Sequence, residues 1–124
     1  MRRLVAALVS ALLAAVVLAG CGSSTGSSAS QGSGPPPTKV IDVTFSGDSV
    51  TPNGELIKVD VGQPIELDVT ADAPGEIHVH STPEQELEYD KGSSTITVAP
   101  ITAPGRITVE SHDLNKTLFV LQAQ

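Results

Sequence analysis

From Lys39 onward apolar and polar residues alternate with a period of two, and this alternation limits the available folds more than any other feature of the chain. Ile41, Val43 and Phe45 interleave with Asp42 and Thr44, and Ile57, Val59 and Val61 with Lys58 and Asp60. Ile65, Leu67 and Val69 alternate with Glu66 and Asp68. The rhythm continues through Ile77 and Val79, Ile96 and Val98, and Ile107 and Val109. Successive side chains of an extended strand point to opposite faces, so each run predicts a strand with one dry and one wet face. The last run, "TLFVLQ", is apolar on both parities and predicts a fully buried strand. Between the runs stand "TPNGE", "VGQP", "DAPGE", "DKGSS" and "TAPGR", whose Gly, Pro and Asn end strands. Only "PEQELEYDKG" leaves room for a turn of helix. Seven closely spaced strands without crossover helices predict one all-β sandwich with mostly antiparallel pairing. The aromatics are Phe45, Phe119 and Tyr89, so the core must come from Val, Ile and Leu. Each of these stabilises by roughly 1.5–3 kcal/mol when fully buried.

The segment before Lys39 has none of this rhythm. "MRRLVAALVSALLAAVVLAGC" carries a charged start, Arg2 and Arg3, and an apolar stretch from Leu4 to Ala19. That stretch is shorter than the ~20 residues of a bilayer-spanning helix and fits an export signal. Leu18-Ala19-Gly20-Cys21 resembles a bacterial lipobox, which predicts cleavage before Cys21 and diacylglycerol on its sulfur. Two acyl chains satisfy the requirement for stable anchoring, which one chain does not. Cys21 is also the single cysteine, so no internal disulfide staples the fold. Residues 22–37 are dominated by Gly, Ser and Pro and predict a solvated tether with a reach on the order of 20–25 Å. The expected organisation is a lipoprotein signal peptide over 1–20, lipidated cysteine and tether over 21–38, and a folded domain over 39–124. It places the domain at the extracytoplasmic face of the cell membrane.

Charge removes several function classes. Fourteen acidic residues face seven basic ones, and no Lys/Arg cluster exists to hold nucleic-acid phosphates or anionic lipid. Loss of Arg2 and Arg3 on cleavage would take the net charge from −7 to −9 (5 − 14). No nucleic-acid partner is expected. Ser111-His112-Asp113 contains the letters of a hydrolytic triad, but strand neighbours point to opposite faces, and no Gly-x-Ser-x-Gly turn occurs in the folded part. No enzyme is expected. Glu84, Glu86, Glu88 and Asp90 lack the spacing of a calcium loop and fit a solvated acidic edge.

The chemistry concentrates in "GEIHVHS", residues 75–81. Residues two apart on a strand share a face, so Glu76, His78 and His80 lie together, opposite Ile77 and Val79. Glu110 and His112 repeat the arrangement on a later strand, opposite Val109. If both strands end at one pole, the imidazoles converge, and imidazole with carboxylate suits Zn, Cu(II) or Ni. The alternative is a polar strand face whose histidines pair with glutamates and hold no ion.

Three quoted stretches together resemble a family. "VTPNGELIKVDVGQPIELDVTADAPGEIHVHS", "TVAPITAPGRITVESH" and "LFVLQ" are similar to the cupredoxin-like domains of actinobacterial cell-envelope lipoproteins, over about Ile41 to Leu121. The resemblance implies a Greek-key, cupredoxin-like sandwich of seven or eight strands. It implies no particular activity, but it puts His78, His80 and His112 near the place where that family carries its metal. A blue-copper site needs a Cys thiolate, two His and usually a weak axial Met. The thiolate is expected near Glu110 or Ser111, where there is none, and the only methionine is Met1. Blue-copper electron transfer is thereby excluded. Two expectations follow. In the first, a lipid-anchored module binds Cu(II) or Zn through His78, His80 and His112, with Glu76 or Glu110 as ligand or supporting partner. In the second, a metal-free module engages another envelope protein. Imidazoles more than about 8 Å apart would favour the second, since zinc–nitrogen bonds are only ~2.0–2.1 Å.

Overall fold

The computed structural model describes residues 34–124; the export signal, Cys21 and most of the tether lie outside the described residues. Nine strands follow in order: β1 (Lys39–Ser46), β2 (Ser49–Thr51), β3 (Glu55–Val59), β4 (Ile65–Ala71), β5 (Gly75–Val79), β6 (Gln85–Tyr89), β7 (Gly92–Val98), β8 (Gly105–Ser111) and β9 (Lys116–Ala123). They form a four-stranded sheet, β2-β1-β4-β7, and a five-stranded sheet, β3-β9-β8-β5-β6. The all-β sandwich expected from the alternation is therefore present. Pairing is mostly antiparallel, as expected, with β1–β4 and β3–β9 parallel.

The strand count is nine rather than seven or eight, for two physical reasons. β2 is three residues long, too short to show a period, although its Val50 is buried. β6 is a strand and not a turn of helix. Its inner residues are Gln85, Leu87 and Tyr89, and the intervening glutamates hide a weak apolar signal. Gln85 faces inward because it has partners there: its Oε1 accepts from Ala99 N–H (2.7 Å), and its Nε2 donates to Ser81 Oγ (2.9 Å).

The core follows the alternation closely. Ile41, Val43 and Phe45 of β1 lie in register with Leu67, Val69 and Ala71 of β4, and all six are buried. Val61 departs from expectation: it is exposed because β3 ends at Val59, two residues before it. In β9 the inward parity would permit only one of Leu118 and Phe119, yet both are fully buried. A bulge resolves this. Val109 pairs with Phe119 and Glu110 with Thr117, so Leu118 is the extra residue. A bulge bends its strand and re-aims neighbouring side chains, and this one lies opposite Glu110, which belongs to the candidate site.

Phe45 and Tyr89 stack across the two sheets, with centroids 4.6 Å apart and planes 17° apart. Tyr89 faces Gly75 in the β5–β6 register, and a Cβ on Gly75 would stand 2.8 Å from Tyr89 Cζ. The ring has no free direction while stacked on Phe45. Gly75→Ala is expected to destabilise the domain by about 1–3 kcal/mol, the usual penalty of overpacking. Chemical denaturation checks this; an unchanged midpoint would mean that the ring gives way freely.

Candidate metal centre

Register brings the site together on the outer face of the five-stranded sheet. Across β5 and β6, Glu76 stands opposite Glu88 and His78 opposite Glu86. Across β5 and β8, His78 stands opposite Glu110. His78 is therefore flanked by carboxylates on both neighbouring strands. Along its own strand its ring stacks on His80, centroids 4.5 Å and planes 13° apart. His112, on the turn between β8 and β9, leans against it with a centroid separation of 4.5 Å. His80 and His112 are 6.1 Å apart. These neighbours leave His78 only 9 % exposed, although it points away from the core.

Glu110 fixes two of the rings. Its Oε1 accepts from His80 Nε2–H at 2.7 Å and from His112 Nε2–H at 2.9 Å. With Nε2 protonated, the ring nitrogen left to His112 is Nδ1, and it faces His78 Nδ1 at 3.4 Å. Two bare lone pairs at that distance repel, so a positive centre must lie between them. A proton on His78 Nδ1, donating to His112 Nδ1, meets that need, and so does a cation. His78 Nε2, on the other side of the ring, is buried with no hydrogen-bond partner. Glu84 Oε2 lies 3.4 Å from it, within ion-pair distance but outside hydrogen-bond alignment.

The same contacts shift proton affinities. The hydrogen bond to Glu110 chiefly raises the His80 pKa above its ordinary 6.5, against desolvation and with help from Glu84. The hydrogen bond to His80 is the main cause lowering both Glu110 and Glu84 below 4.5. The raised histidine stabilises the fold fully below pH 6.5, and its contribution is lost as pH climbs through the raised value. The lowered carboxylates contribute above pH 4.5 and lose their effect as pH falls through the lowered values. The metal-free protein is thus expected to be most stable between pH 4.5 and 6.5, with only a modest fall above because these groups are solvent-screened. Thermal melts across pH check this, and the fall above pH 6.5 must shrink in Glu110→Gln.

The structure brings His78, His80 and His112 together, each placing a possible ligand atom within 4.8 Å of the other two. Glu110 joins them as the common acceptor of two rings. Glu76 does not touch the imidazole cluster by hydrogen bond; it groups instead with His78 and Glu86. Sequence reasoning missed Glu84, which reaches His78 and His80. The available signal was its position four residues after His80, across a Ser-Thr-Pro reversal that folds the chain back along β5.

No protein-family model matches the chain, and no curated protein matches it in sequence. Among solved structures it is similar to reduced auracyanin from the photosynthetic bacterium Roseiflexus castenholzii, at 13 % identity and a TM-score of 0.48, covering 73 % of this chain and 99 % of that one. It is also similar to a blue copper oxidase from Nitrosomonas europaea, at 15 % identity and a TM-score of 0.40, covering 68 % of this chain and 43 % of that one. The chemistry of the site rests on its own side chains.

Proposed function

We propose that this protein is an extracytoplasmic, lipid-anchored metal-binding module that holds one Cu(II) or Zn(II) ion on His78, His80 and His112. The observation that carries the reading is the 3.4 Å separation of two imidazole nitrogens. Two nitrogens bound to one tetrahedral ion at ~2.0–2.1 Å stand about 3.3–3.4 Å apart, so the gap that a proton can bridge is also one that an ion fits. Glu110 supports this by accepting the outer N–H of two rings, the carboxylate–histidine pairing that fixes ring orientation in metal sites. Glu84 is within reach to supply an oxygen. An ion held here would be bound, not cycled as blue copper, because the described residues, 34–124, contain no cysteine or methionine to supply a thiolate or thioether. The imidazole centroids, 4.5 to 6.1 Å apart, fall short of the separation of about 8 Å beyond which a metal-free interaction module would be the better reading.

Anchoring at Cys21 is supported by the lipobox and by the lack of a second cysteine in the chain to pair with it. Calorimetric titration of the full chain in detergent tests the metal reading. Wild type is expected to bind Cu(II) and Zn(II) at this site, and Glu110→Gln to weaken both by roughly 10–100-fold. Equal binding by wild type and His112→Ala would overturn it. Mass spectrometry of Cys21 tests the anchor, since a free thiol in membrane-extracted protein sinks that half of the proposal.

A further inference from the structure

A cavity of about 180 Å³ lies between the turn that follows β5 and the loop that leads into β8. Its floor is Ile101 and Ile107, both buried, and Pro100 and Pro104 stand in its wall. Proline holds its backbone in one conformation, so this wall is set before any ligand arrives. The exposed side chains of Arg106 and His80 form the rim. The charge of this cavity is unlike that of the rest of the domain. Acidic residues outnumber basic ones 14 to 7 in the chain, and three other clefts each include Asp or Glu in their lining. This lining holds no carboxylate. Among the described residues Arg106 is the only arginine, and it enters none of the ion pairs, which are all histidine–glutamate pairs.

We infer that this cavity binds a small monocarboxylate with a short apolar tail, its carboxylate on Arg106 and its tail on Ile101 and Ile107. A guanidinium presents a planar fork of donors that matches a carboxylate, and a buried aliphatic floor favours hydrocarbon over water. His80 is not the partner of the anion, because Glu84 and Glu110 already hold its two ring nitrogens. Those two carboxylates also limit the charge of the ligand. Their field at that end of the cavity opposes a dianion more strongly than a monoanion. The volume suits an acid of about four to six carbons, since drug-sized ligands occupy sites of ~300 Å³ and more. The site needs no bound metal, so it can fail or stand independently of the imidazole centre.

The test is a titration of the isotope-labelled full chain in detergent with isovalerate, followed by NMR at the Ile107 amide and the Arg106 Nε–H. Wild type is expected to show saturable shifts at both. Arg106→Ala, at an exposed position, should weaken binding at Ile107 by roughly tenfold or more, the usual cost of losing a hydrogen bond to a charged group. Its Cu(II) titration should stay near wild type. Isovaleramide, the same shape without the charge, should bind wild type more weakly by the same factor. Ala103→Leu, also on the lining, should fill the cavity and abolish the shifts with Arg106 still present. Inorganic phosphate at equal concentration should not displace isovalerate. The inference is overturned if wild type shows no saturable shift, if Arg106→Ala or isovaleramide makes no difference, or if Ala103→Leu binds as before. Displacement by phosphate would also overturn it, since that means a bare anion contact. Isovalerate binding together with failed Cu(II) binding would instead sink the imidazole reading and leave this cavity standing.

Discussion

His78→Leu is expected to lower Cu(II) affinity by at least about a hundredfold, ~2.7 kcal/mol, while leaving the metal-free domain as stable as wild type or more so. The two halves of this result have separate causes. Affinity falls because His78 supplies one of the two nitrogens that face each other at 3.4 Å, and leucine supplies no donor. Stability holds because the histidine is an awkward tenant in the metal-free chain. Its Nε2 is buried without a hydrogen-bond partner, a state that costs about 1–3 kcal/mol. Leucine removes that penalty at the expense of one hydrogen bond to His112 and the stack on His80. A histidine kept for structure would behave in the opposite way, with the fold weakened by the substitution and Cu(II) uptake untouched. Parallel calorimetry and thermal melts separate the two, and the second pattern would reverse the assignment of His78.

Phe119→Ala is expected to destabilise the domain by about 3–5 kcal/mol, the range for emptying a large buried aromatic site. Phe119 is fully buried on β9, in register with Glu55 of β3 on one side and Val109 of β8 on the other. A domain of this size has a total stability of only about 4–13 kcal/mol, so the substitution removes a large share of it. The melting temperature should fall by roughly 12–40 °C. Metal affinity of the molecules that remain folded should be unchanged, because Phe119 is on the inner face and the histidines are on the outer one. A drop of a few degrees would mean that the neighbours collapse into the space, and a lost metal site would mean that core and face are coupled.

The alternation over 41–45, 65–69 and 107–109 was enough to place the inner faces, because hydrophobic burial acts on each strand separately. The shared parity of His78 and His80 was legible for the same reason. Pairing was not legible, because it depends on contacts between distant segments. That β8 lies beside β5, setting Glu110 opposite His78, is a fact of sheet order. Strand β6 escaped notice because its outer residues are glutamates and its inner row includes Gln85, whose burial makes sense only once Ala99 and Ser81 are in place to bond it. Glu84 was visible as an acidic residue and nothing more, since its use depends on that reversal. The bulge at Leu118 left one trace, an apolar run without alternation, which fits a strand buried on both sides equally well.

The position of β9 has a consequence for how the protein is made. It lies between β3, synthesised early, and β8, synthesised just before it. Until residue 116 and its successors leave the ribosome, β3 has no partner strand and stands apart from β8, β5 and β6. A nascent chain in that condition lacks one of the five strands that complete the larger sheet. Closure waits for the final strand, so the polypeptide becomes compact only after most of it has been translated.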